Sequence, residues 1–288
     1  MATKTNSISK RTVIAATITR SRPKAGRTNI ADGAIQKAAK PRATSKPVKV
    51  TSPAGRDPKL TQVAFEKISN AIVYGRLDLG EPISENDLAK ALGVSKAPIR
   101  ESLNELRLKG LVVVVPQSGS YVFSPTSEQI EELCDFRSLL ETRSMRVSMQ
   151  NDAKLLISEL RKTAREMERA YRMGDIFLSK KLDTDFHQAF IRHSGNRYLQ
   201  NAYANIGPTV EALRYRFLDT AVYRNRAFDE HKKIVDSLAL NNITKAVDVL
   251  EDHIARTKHF HARVTWTTGR LRRKDYKFRD YSDIFAEA

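Results

Sequence analysis

Helix-ending signals placed back to back between Ser84 and Gly110 constrain the fold of this chain more than any other feature. Ser84 offers a side-chain oxygen to the unpaired N–H groups of a helix start, Asp87 follows three residues later, and Leu88, Ala89 and Leu92 supply an apolar side. Gly93-Val94 ends that helix, Ser95 caps a second one, and Pro98 falls in its first turn, where a missing N–H costs little. Ile99, Leu103 and Leu106 then form a buried stripe, and Gly110 stops the run. The spacing predicts helix, tight turn, helix.

The flanks complete a small domain. Phe65, Ile68 and Ile72 recur at spacings of three and four, predicting a preceding helix over Leu60 to Tyr74 that stops at Gly75. After Gly110, Leu111 to Val115 and Tyr121 to Phe123 read as two β-branched or aromatic strands around the polar loop Pro116 to Ser120, a hairpin wing. Lys96 and Arg100 project from the first turns of the second helix, where a recognition helix meets bases and phosphates. The planar fork of Arg100 suits guanine O6 and N7, whereas Lys96 is a point charge better matched to phosphate. Gly119 lets the wing backbone approach a phosphate closely. A tight helix pair also occurs in proteins that never touch DNA, so the reading rests on helix pair, wing and charge together.

Charge sharpens that reading. The 288-residue chain carries a net charge of +17, which favours a polyanionic partner. Residues 1–57 hold thirteen Lys or Arg and two acids, no aromatic residue and four prolines, a composition expected to stay disordered. Such a segment serves either as a DNA-searching arm, as a solvated extension, or as a transit peptide. A single cysteine, Cys134, excludes internal disulfides and cysteine-rich metal sites and fits a reducing compartment. The longest apolar runs fall far short of the ~20 residues of a membrane span. The expectation is a cytoplasmic protein with no membrane partner.

Beyond about Ser127 the pattern is almost entirely helical, with breaks expected near Asn151, Gly174, Gly195, Asn225 and Asn241. Asp183 and His187 are four apart and share one helix face. His231 and His253 are 22 apart, centred on the Leu240-Asn-Asn-Ile243 turn, so an antiparallel hairpin of Phe228 to Leu238 with Thr244 to Thr257 sets them opposite each other. One Asp and three His can enclose a divalent ion; zinc, nickel, manganese, iron and copper all accept such ligands. The plainer alternative is that each histidine lines or caps a helix. Arg137, four residues before Glu141, reads either as half of an exposed ion pair or as a clamp for a ligand carboxylate. Cys134 and the methionines of this region read as core filling.

Residues 62–123, with Gly75-Arg-Leu, Leu88-Ala, Gly93-Val-Ser, Pro98-Ile-Arg-Glu-Ser-Leu103, Leu106, Lys109-Gly-Leu111 and Gly119, resemble the winged helix-turn-helix of GntR-family regulators. The resemblance implies DNA contact from Ser95, Lys96, Arg100, Asn86 and Gly119. Asn86, Lys96 and Ser118 stand where many relatives have Arg, which bears on the operator sequence. Over 127–265, Arg137-Ser-Leu-Leu-Glu141, Asp183-Thr-Asp-Phe-His187, Ser194-Gly-Asn196 and Glu230-His231 with His253 resemble the FadR-type effector domain, FCD. In the metal-binding branch of that domain an Asp and three His hold an ion below a ligand pocket, and Asp183, His187, His231 and His253 match those positions.

The expected architecture is therefore an arm (1–57), a winged helix-turn-helix of mixed α and β structure (58–124), an all-helical antiparallel bundle (127–265) and a tail (266–288). The expected function is a homodimeric repressor of operator double-stranded DNA, controlled by a small organic acid bound at Arg137 near a divalent metal ion. The competing reading is a metal-dependent enzyme built on the same three histidines and one aspartate. It lacks an obvious general base, since Asp185 is two residues from Asp183 and on another helix face.

Overall fold

The computed structural model describes residues 58–217, 221–268 and 281–285. These belong to one compact unit, Thr51–Ala288. The basic arm expected over 1–57 lies outside the described residues.

Helix α1, Pro58–Val73, buries Ile68, Ala71 and Ile72 against the helix pair, and Gly75 takes φ 72° just beyond its end. Helix α2, Glu85–Leu92, begins where the Asp87 N–H donates to Ser84 Oγ and ends at Gly93 with φ 66°. Helix α3, Lys96–Leu108, begins after Ser95, but the Ser95 side chain makes no capping bond. The core of this domain gathers Ile68, Ile72, Leu88, Ile99 and Leu106, all fully buried. Truncating one of these leucines or isoleucines to alanine costs about 2–5 kcal/mol.

The wing is antiparallel. Strand β2, Val112–Val115, pairs with β3, Gly119–Val122, with Val115 opposite Gly119. Gly119 is thus the first residue of a strand rather than part of the loop, and its φ of 109° is one that side chains resist. A further strand, β1 (Pro82–Ile83), joins the far edge of β3. Two residues carry no periodicity, so this strand had no sequence signal.

The rest is helical. Helix α4, Ser127–Arg172, opens with a capping box, Thr126 bonding the Gln129 N–H and the Gln129 side chain bonding back. The break expected near Asn151 is a kink inside α4: Asp152 leaves helical geometry (φ −153°, ψ 84°) and caps the second half by accepting from the Leu155 N–H. Helices α5 (Ile176–His193), α6 (Arg197–Phe217), α7 (Ala221–Ala239) and α8 (Ile243–Thr268) follow. Asn225 does not break the chain as expected; it lies inside α7. Asn241, in the left-handed region at φ 55°, makes the α7–α8 turn, which places these helices antiparallel. Cys134, Met145, Met149 and Met167 are core residues, whereas Met173 is exposed.

Among residues 266–288, a short turn, α9 (Ser282–Phe285), packs on the winged domain. Tyr281, Ile284 and Phe285 are buried, the Tyr281 hydroxyl donates to Pro82 O, and Arg76 donates to Ile284 O.

Candidate functional site

On the winged domain, Asn86, Ser95, Lys96, Arg100 and Gly119 are all solvent-exposed. Arg100 Nε is 2.7 Å from Glu85 Oε2, so the fork has a resident partner that a DNA base must replace. Both groups are hydrated, so the exchange is inexpensive.

The second cluster is buried. Helix α5 brings Asp183 and His187 inward on one face, and the α7–α8 hairpin sets His231 and His253 opposite them. His187, His231 and His253 each offer a ring nitrogen within 4.8 Å of the others. His187 Nε2 lies 3.4 Å from His231 Nε2, and Asp183 Oδ1 lies 3.6 Å from the same His231 nitrogen. The second oxygen of Asp183 accepts from Arg214 Nη1 of α6 at 3.0 Å.

Two carboxylates that the spacing argument did not assign orient these rings. Glu141 Oε2 faces His187 Nδ1 at 2.8 Å, and Glu230 Oε2 faces His253 Nδ1 at 2.8 Å. An Nδ1–H bonded to a carboxylate leaves Nε2 as a lone-pair donor, the arrangement that prepares histidine for a metal. Glu230 adjoins His231 in sequence but serves His253, because neighbouring helix residues point about 100° apart. His231 Nδ1 has no hydrogen-bond partner among the described residues.

Arg137 is not an exposed ion-pair partner; it is 1% exposed, and its Nε bonds Glu141 Oε1 at 2.6 Å. Its Nη2 stands 3.3 Å from His187 Nε2, and the Tyr203 hydroxyl donates to Glu141 Oε1 at 3.1 Å. Burial alone would raise the Glu141 carboxyl, but Arg137 and His187 hold it well below the usual range. Burial likewise works against the Asp183 charge, and Arg214 and the histidines override it. Burial pushes His187 down to about 4, and it also holds His231 well below its ordinary value, so both rings are neutral near pH 7. Glu230 is drawn to about 2: burial opposes its charge, but the bond to His253 and the nearby Arg226 and Arg256 outweigh it.

Three buried imidazoles, two of them oriented by carboxylates, beside a charged Asp183 are the donor set a borderline divalent ion takes, so these residues fit a metal. The surrounding arginines Arg137 and Arg214 offset the negative charge of Glu141 and Asp183.

Comparison with known proteins finds a family match in each of these two regions. Residues 60–122 match the profile described as bacterial regulatory proteins, gntR family, and residues 132–256 match the FCD domain. The chain is 28% identical over 176 residues to the gluconate operon transcriptional repressor of Bacillus subtilis (strain 168), spanning 61% of this chain and 71% of the relative. It is 25% identical over 183 residues to the HTH-type transcriptional repressor RspR of Escherichia coli (strain K12), spanning 62% and 78%. A solved structure from Rhodococcus sp. RHA1, described as a GntR transcriptional regulator, shares the fold with TM-score 0.62 at 22% identity, covering 71% of this chain and 98% of its own. The matched families regulate transcription and are not enzymes, so the metal-dependent enzyme reading falls away. Among the described residues no helix is long and apolar enough to cross a membrane. With the GntR domain over 60–122 and the FCD domain over 132–256, the chain belongs to the GntR family of transcriptional regulators, in the branch that carries an FCD domain.

Proposed function

We propose that this regulator is a metal-holding repressor whose affinity for operator DNA responds to a small carboxylate effector. The observation that carries the reading is the convergence of His187, His231 and His253 within 4.8 Å, with Asp183 beside them. His187, His231, His253 and Asp183 would hold the ion, one of zinc, nickel, manganese, iron or copper. When bound, such an ion supplies a Lewis-acid anchor for a carboxylate. Arg137 would hold the effector's carboxylate: its guanidinium stands beside His187 Nε2 and its fork matches that group. Arg137 is now satisfied by Glu141, so an effector must compete with or share that bond.

On the DNA side, Arg100 reads a base edge and Lys96, Ser95, Asn86 and the Gly119 wing meet phosphates or bases. One winged domain presents one recognition helix, so two half-sites call for a homodimer. The effector acts by binding one arrangement of the winged domains better than another, typically worth about 1–3 kcal/mol. A metal assay of the purified chain with a thermal-shift screen of small carboxylic acids tests the reading, since ligands of the native state raise its melting temperature. One ion per chain and acid-dependent stabilisation that Arg137→Met abolishes support it. A metal-free chain indifferent to every acid contradicts it.

A further inference from the structure

Helix α6 meets the buried cluster on one side and the winged domain on the other. Tyr203, Gly207, Val210 and Arg214 follow helical spacing along one face, and all four are buried. Tyr203 ties that face to Glu141, and Arg214 ties it to Asp183. Asn205, Thr209 and Arg216 repeat the same spacing two residues later, about half a turn round the helix. This second face meets the winged domain. Lys109 Nζ donates to Asn205 Oδ1 at 3.2 Å, Thr209 Oγ1 donates to Lys109 O at 3.1 Å, and Arg216 donates to Ile72 O, Val73 O and Leu77 O. Those carbonyls lie at and just beyond the C-terminus of α1, where the helix leaves acceptors without internal partners.

The middle of α6 contains Gly207-Pro208. Pro208 has no N–H, so Ala204 O loses the helical bond it would otherwise accept. Lys109 Nζ takes that place, donating to Ala204 O at 3.3 Å from the end of the recognition helix α3. The helix is therefore weakened at the point where the winged domain repairs it, and a Gly-Pro pair is a recognised place for a helix to bend.

We propose that α6 is the lever joining the two domains, with Lys109 and Arg216 as its positioning residues: a change of contacts at Asp183 and Glu141 moves Arg214 and Tyr203, and α6 passes the movement to the ends of α3 and α1. The proposal rests on the metal reading of the site above. A shift of α6 changes the direction in which α3 presents Lys96 and Arg100, which is how a buried ligand alters DNA affinity without touching DNA. Physical coupling of this kind requires two sites and an element that both bias, and α6 is in contact with each.

Hydrogen exchange read by mass spectrometry on the full chain, stripped with chelator and then supplied with zinc chloride, tests it. In the wild type, zinc slows exchange in a peptide over 183–187 and also changes exchange in peptides over 68–80 and 104–112. In Lys109→Met, and in Arg216→Met, protection over 183–187 stays at the wild-type level while the response of the winged-domain peptides falls at least threefold. Pro208→Ala restores an N–H to α6, is expected to fold at least as readily as the wild type, and lowers the response over 104–112. The same variants lose the zinc dependence of binding to a duplex selected from a random pool by the wild-type protein, while still binding it. A winged-domain response unchanged in Lys109→Met, Arg216→Met and Pro208→Ala, or absent from a wild type that is protected at 183–187, overturns the lever alone. No effect anywhere in the wild type from zinc chloride, or from nickel, manganese, iron(II) and copper salts supplied in turn, overturns the metal reading and the lever with it.

Discussion

Replacing Arg137 by Met leaves Glu141 charged and buried with two partners in place of three, the His187 Nδ1 and the Tyr203 hydroxyl. Arg137 and Glu141 are 1% and 0% exposed, so solvent screens neither. Removing one partner of a buried pair typically costs about 3–5 kcal/mol, because the remaining charge keeps its desolvation cost. His187 can offset part of this by taking a proton: Arg137 is one of the charges holding it down, and Glu141 favours its charged form. The expected loss in chelator-treated protein is therefore near the lower end, about 3 kcal/mol at pH 8, and smaller at pH 6. For a chain of this size that is about 6–12 °C in melting temperature, followed by circular dichroism at 222 nm. The double variant Arg137→Met/Glu141→Gln should recover at least about 2 kcal/mol relative to the sum of the single losses, since removing both charges leaves nothing unpaired. A loss under 1 kcal/mol at pH 8, or strict additivity, refutes the view that this pair is a buried, mutually dependent unit.

Other outcomes follow from the same geometry. Glu230→Gln should weaken metal binding about 10–100-fold in a competition titration with a chromophoric chelator, because Glu230 orients His253; unchanged affinity would remove that role. The chelator-treated chain should lose stability as pH falls from about 6.5 towards 4: the unfolded histidines bind protons first, while His187, drawn to about 4, and His231 stay neutral when folded. Urea midpoints that are flat across that window would contradict the burial of neutral rings. Arg100→Ala should weaken binding to a selected operator by about 1–3 kcal/mol, whereas full affinity would place Arg100 outside the interface. Deleting residues 1–57, which carry a net +11, should flatten the dependence of log affinity on log salt, and an unchanged slope would mean that the arm does not touch DNA.

Local chemistry made much of the fold legible. Ser84 and Gly93 mark the ends of α2 because a side-chain oxygen and a left-handed glycine satisfy helix ends whatever surrounds them. Asn225 misled because an exposed asparagine lowers helix propensity only slightly, and the packing of α7 decides. The four residues at the candidate metal site could be found because two spacings, 4 and 22, and one central turn are properties of single helices and one hairpin. Glu141, Tyr203 and Arg214 could not be assigned in that way, since their roles depend on how α4 and α6 lie against α5. The Lys109 bond to Ala204 O joins residues 95 apart, and in sequence only Pro208 hints that an acceptor is left open.

Metal content measured by mass spectrometry on the purified full chain, alongside His231→Ala and His253→Ala, distinguishes one shared ion from four separately buried side chains. One divalent ion per wild-type chain, lost from both variants while each still binds nonspecific DNA, is the expected result. A metal-free wild type, or full occupancy in both variants, would contradict a shared site of Asp183, His187, His231 and His253.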